Sequence, residues 1–112
     1  MDEHYGEWNR KGATLSDKTA RKEYGLTQDE IVAAIRAGRL QYREGVIYGA
    51  PWFRLLRREV EALVSSRRGD TYLKNQQAKT ELARVNRELR RLETEVAVLQ
   101  ARREELMAAL KN

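Results

Sequence analysis

The sequence predicts a mainly α protein: a small head that contains a β-hairpin, followed by one long C-terminal coiled-coil helix. Three observations lead there. From residue 82 to residue 110, leucines and valines recur at alternating spacings of three and four, the period of 3.5 that a supercoiled helix needs. From residue 15 to residue 38, helix starts and stops are marked by capping residues and glycines. From residue 39 to residue 56, aromatic and β-branched residues are punctuated by Gly45, Gly49 and Pro51, the pattern of a hairpin. At 112 residues with 35% charged, the chain has room for one head and an extension, not for two full domains.

Residues 1–14 show no periodicity and read as a flexible arm, with Tyr5 and Trp8 placed to fold back on the head. Thr14-Leu15-Ser16 then opens a helix. Ser16 is the N-cap and Asp17 lies in the first turn, where a carboxylate is favourable. Ala20 and Tyr24 share one face, and Gly25 follows as the stop. Thr27 and Glu30 form a capping box, each side chain satisfying an orphan backbone N–H of the other residue. Leu26 and Ile31 flank the box as a hydrophobic staple. This second helix runs to Ala37, buries Ile31, Ala34 and Ile35, and stops at Gly38. The hairpin comes next, and then a short helix from Arg58 with Val60, Leu63 and Val64 facing inward. Helix, tight turn, helix, hairpin, helix is the order of a compact winged helix-turn-helix. The head is therefore assigned to residues 15–66, a hinge to 67–70, and a coiled-coil dimerisation helix to 71–112.

In the coil, Leu82, Leu89, Val96 and Leu110 take position a, and Val85, Leu92, Leu99 and Leu106 take position d. The same register puts Asn75 and Arg103 at a and Ala78 at d. Polar a residues disfavour higher oligomers, so a homodimer is expected. A parallel pair would set Lys74 against Lys79 and Glu88 against Glu93. Antiparallel alignments bring Glu81 or Glu88 near Arg102 instead, and are preferred on that ground.

Several classes of function find no support. Cysteine is absent, which removes disulfides, zinc-thiolate sites and a thiol nucleophile together. The one histidine, His4, has no companion ligands, and neither a P-loop nor G-x-G-x-x-G occurs. A non-enzymatic protein is expected, without cofactor, metal or small-molecule ligand. No apolar run is long enough to cross a membrane. Met1-Asp2-Glu3-His4 lacks a secretory pattern, so the expected location is cytoplasmic, or nucleoid-associated for a DNA-binding protein. Net charge is +5 and unevenly spread: −1 over residues 1–14, +4 over 15–69 and +2 over 70–112. The head is the most basic segment, as a nucleic-acid partner requires.

A resemblance adds to this reading. Leu15-Ser16, Thr19-Ala20, Tyr24-Gly25-Leu26-Thr27, Ile31, Ile35 and Gly38-Arg39-Leu40 resemble the excisionase and MerR-type winged helix-turn-helix family. Residues 20–27 and, after a Gly-Ala-Pro loop, residues 54–63 are also similar to the C-terminal DNA-binding segment of the xeroderma pigmentosum group A repair protein and its relatives. Together these cover roughly residues 14–66. The resemblance implies a second helix presented to the major groove and a hairpin wing on the backbone of double-stranded DNA. Thr27, Gln28, Val32, Ala33 and Arg36 would then face the bases, while Lys18, Arg21, Lys22, Arg39, Arg43 and Arg54 would contact phosphates. Tyr48, at the loop tip, is the aromatic placed to stack on a base; Tyr42, Trp52 and Phe53 read as hairpin packing. Asp29 and Glu30 run against base reading, since two carboxylates at the start of that helix repel phosphate.

The expected function is that of a dimeric DNA-binding protein, a transcriptional regulator or phage-type accessory factor. The rival is a coiled-coil adaptor whose head binds protein.

Overall fold

The computed structural model describes residues 3–111. The elements run α1 (Glu3–Asn9), β1 (Thr14–Ser16), α2 (Asp17–Tyr24), α3 (Gln28–Arg36), β2 (Tyr42–Ile47), β3 (Ala50–Leu56), α4 (Arg57–Arg68) and α5 (Asp70–Lys111). Helices dominate, and the strands form one antiparallel sheet in the order β1-β3-β2. The fold is mainly α, with a hairpin wing and a long C-terminal helix. Contacts divide the chain into two units, residues 1–78 and 79–112. The second unit is helix throughout its described length.

Local chemistry sets the helix boundaries where the sequence places them. The Ser16 hydroxyl accepts from the Thr19 N–H at 3.0 Å. Gly25, at φ 69°, ends α2 with its N–H on the Arg21 carbonyl. A side chain there would be strained by the backbone and would also collide with the Tyr72 hydroxyl. The capping box of α3 is complete: Glu30 N–H donates to Thr27 Oγ1 at 3.1 Å, and Thr27 N–H donates to Glu30 Oε1 at 2.9 Å.

Three expectations are corrected. Thr14–Ser16 does not open the helix; it pairs with Leu56–Arg54 and adds a third strand to the hairpin. The expected arm is helical over Glu3–Asn9, and Trp8 is 4% exposed, folded back as expected. The parallel expectation for Tyr5, and the reading of His4, lie outside the described residues. Ser65–Arg68 continues α4, so the interruption before the long helix is confined to Gly69.

The core of the first unit is drawn from every element but α1 and β2. Leu15, Ala20, Tyr24, Leu26, Ile31, Ala34, Leu40, Leu55, Val60, Leu63 and Val64 form one buried cluster, with Ile35, Phe53, Tyr72 and Leu73 packed against it. Tyr72 and Leu73 lie on α5, so the first turn of the long helix belongs to this unit. Tyr72 donates its hydroxyl to the Tyr24 carbonyl at 3.1 Å. Burial is the leading cause that raises the Tyr24 phenol above its usual pKa, and its O–H donates to Glu61 at 2.8 Å.

Glu30 ties α3 to α4. Arg68 reaches its carboxylate at 2.9 Å and Arg67 at 3.3 Å. The Thr27 backbone N–H first, and Arg68 second, hold its pKa at about 2 against an ordinary 4.5. A depressed carboxyl contributes stability above its unfolded pKa, and that contribution is lost as pH falls through about 2. Glu30→Gln keeps an acceptor for the cap but removes the charge. It is expected to lower Tm at pH 7 by about 2–5 °C, as for an ion pair worth roughly 0.5–1 kcal/mol, and to leave Tm unchanged at pH 2. Thermal melts followed by circular dichroism at both pH values check this; an equal loss at both would show that the charge is not responsible.

Candidate nucleic-acid interface

The wing is a two-residue hairpin. Ile47 pairs with Ala50, and the turn residues Tyr48 and Gly49 both have positive φ, at 51° and 81°, the geometry that matches the twist of the strands. Tyrosine is an unfavourable residue at such a position. Its side chain is fully exposed, so no packing within the chain offsets that cost.

Side chains alternate between the two faces of the sheet. Leu55 and Phe53 point to the core, and Tyr42 meets Phe53 edge-on at 5.4 Å. The opposite face carries Arg43 paired with Arg54, and Gly45 paired with Trp52. The Trp52 indole lies over Gly45 so closely that an added methyl would fall on the ring. Trp8 of α1 caps this face: the Arg43 guanidinium stands 4.6 Å from its ring centroid and that of Arg54 stands 6.0 Å away. Arg54 also donates to the Trp8 carbonyl at 2.6 Å and to Thr14 Oγ1 at 3.2 Å. Next to it opens a shallow cleft of about 390 Å³, lined by Thr14, Leu15, Ser16, Lys18, Trp52 and Arg54.

The cations of the head therefore fall into two groups. Arg54, Arg57, Arg58, Arg67 and Arg68 are held by internal partners: Arg57 by Glu23 at 2.8 Å, Arg58 by Glu7 at 3.0 Å, and Arg67 and Arg68 by Glu30. Lys18, Arg21, Lys22, Arg36 and Arg39 are exposed, and none is ion-paired among the described residues. Lys18, Arg21 and Lys22 form one ridge along α2, at the i, i+3, i+4 spacing that shares a face.

On α3 the residues expected at the bases fare differently. Gln28 donates from Nε2 to Asp17 Oδ2 at 3.0 Å, and its Oε1 is buried without a protein partner. The Thr27 hydroxyl is engaged in the capping box. Both side chains thus have partners within the chain. Val32 is half-buried, while Ala33 and Arg36 are exposed. Arg36 lies about 12 Å along the helix from Gln28. Of the two carboxylates at the start of α3, Glu30 is neutralised by Arg67 and Arg68, but Asp29 is exposed.

Against known proteins, the chain is similar to Rad14 in its solved structure with acetylaminophenyl-guanine containing DNA. Identity is 22% and the TM-score 0.48, over 67% of this chain and 67% of that one. No protein-family model matches the chain, and no curated protein does. Among the described residues, no cluster of His, Cys, Asp or Glu could hold a metal ion, and no helix is long and apolar enough to cross a membrane.

Trp8 is the site residue the sequence did not single out as a platform; its one signal is a large aromatic within a polar segment. Truncating it removes the ring under Arg43 and Arg54 and opens a cavity above the sheet. Trp8→Ala is expected to lower unfolding free energy by about 3 kcal/mol, read from urea denaturation. A loss below about 1 kcal/mol would mean that α1 does not pack on the head in solution.

Proposed function

We propose that the head binds double-stranded DNA through the α2 ridge and the wing, and that the chain acts as a dimer joined by α5. The observation that carries this reading is the division of cations. Arginines with internal partners cannot release counterions on binding. Lys18, Arg21, Lys22, Arg36 and Arg39, exposed and unpaired, can each neutralise a phosphate. Tyr48, at the tip of the wing, adds an aromatic that nothing in the chain covers, placed to stack on a base or pack in a groove.

Recognition of this kind positions the protein on the backbone more than it reads sequence. Thr27 and Gln28 are occupied, and the exposed Asp29 disfavours phosphate at the start of α3. Low sequence specificity follows, with shape and deformability of the duplex as the main discriminators. A role as an accessory or architectural factor fits that better than one as a sequence-specific transcriptional regulator. No residue of the head is assigned catalytic chemistry.

The test is fluorescence anisotropy of a labelled random duplex with the full chain across a salt series. Log affinity should fall linearly with log salt, with a slope of roughly −0.9 per phosphate neutralised. Combining Lys18→Ala, Arg21→Ala and Lys22→Ala should weaken binding and flatten that slope by about 2–3, while circular dichroism shows the fold intact. Absence of binding at low salt would overturn the reading in favour of a head that binds protein.

A further inference from the structure

The apolar stripe of α5 is exposed to solvent. From Leu82 to Leu110 its a and d side chains are between 41% and 87% exposed. The reading of α5 as a dimer helix with an antiparallel preference leaves the register open. We propose that a second copy covers this stripe in the antiparallel direction, with Leu92 opposite the partner's Val96. This rests on the self-association proposed above.

Charge decides the direction. A parallel pair faces Lys74 with the partner's Lys79 and Glu88 with the partner's Glu93, and it stacks Arg103 on the partner's Arg103 within one core layer. No opposite charges meet across such a seam. In an antiparallel pair, position a packs on d, g meets g and e meets e. Arg103 then lies opposite the partner's Val85, where its stem packs and its head reaches solvent. Glu88 comes beside the partner's Arg102, and by symmetry this happens twice.

Burial decides the register. With Leu92 opposite the partner's Val96, Leu82 meets the partner's Leu106 and Leu89 meets the partner's Leu99. Every apolar a and d residue of the stripe is covered. One heptad further on, Glu95 would meet the partner's Arg102, but Leu82 would pass beyond the partner's stripe, which stops at Leu110. Burying a leucine in each chain outweighs a difference of a few exposed ion pairs. The chosen register does bring Glu95 near the partner's Glu95, and Glu93 near the partner's Glu93; against these two like-charge contacts stand two Glu88–Arg102 contacts, whereas the parallel pair has only repulsive ones. The Glu95 contact is softened within each helix, where Arg91 holds Glu95 at 2.6 Å.

The consequence is geometric. Ala78 lies level with the partner's Leu110, so the two heads are attached at opposite ends of the coil, about 48 Å apart along its axis. That exceeds the roughly 34 Å between half-sites one turn apart. The arrangement suits two separate duplex segments, or sites more than one turn apart.

The chain has no cysteine, so Thr80→Cys, on the outer face of the coil, supplies a single labelling site in the full-length protein. A nitroxide there should give a pulsed-dipolar distance of about 49 Å, from about 42 Å along the axis and about 25 Å across the coil. Mixing with labelled Ala108→Cys should add a short distance, because the two positions lie level across the antiparallel pair. A distance near 25 Å with Thr80→Cys alone would mean a parallel pair and overturn the proposal. One near 58 Å would place the register a heptad further on and overturn the alignment. A monomer in sedimentation equilibrium would remove the dimer itself, a separate failure from either.

Discussion

Asp17 holds the head together through one carboxylate. Its Oδ1 accepts the Phe53 N–H of the central strand at 3.2 Å, and its Oδ2 accepts the Gln28 amide at the start of α3 at 3.0 Å. Strand β3, helix α2 and helix α3 thus meet at a side chain that is 8% exposed. A buried carboxylate is tolerated only when donors satisfy it, and here the donors are the elements whose relative placement makes a wing beside a helix-turn-helix. Gln28 is tied to Asp17 by the same contact and is only partly exposed.

The electrostatics follow the same logic. Glu30 looks hostile to DNA when seen only as a charge at a helix start. In the folded head it is the anchor for Arg67 and Arg68 and closes the capping box with Thr27. Its negative charge is neutralised at short range, as are the arginines that bind it. What remains unpaired on the surface is a cationic ridge on α2 and two arginines at the end of α3. The wing base has a different organisation: Trp8 is sandwiched against Arg43 and Arg54, so those two cations are oriented by an aromatic ring and do not sweep solvent freely.

Much of the fold was legible in the residues. Ser16, Gly25, Thr27 and Glu30 mark helix ends through local hydrogen bonds, and local hydrogen bonds depend on neighbours in sequence. The stripe of α5 was legible because its period persists for many turns. Strand β1 was not, because three residues carry too little alternation and its partner lies about forty residues away. Helix α1 was missed for a related reason: among its described side chains Trp8 alone is large, apolar and buried, and one side chain makes no periodicity. Within the site, exposure of Lys18, Arg21 and Lys22 follows from the buried face of α2. That Arg54 and Gln28 are occupied does not follow from any pattern; it depends on Trp8, Thr14 and Asp17 arriving from elsewhere in the chain.

The account claims that the α2 ridge and the wing are the surface that meets DNA. The most direct measurement is an amide chemical-shift titration of the isotopically labelled full chain with a short duplex. The account predicts progressive shifts at Lys18, Arg21 and Lys22, at Tyr48 and Gly49, and at the Trp52 indole N–H, with residues 81–111 unmoved. Shifts confined to α5, or none at low salt, would contradict it.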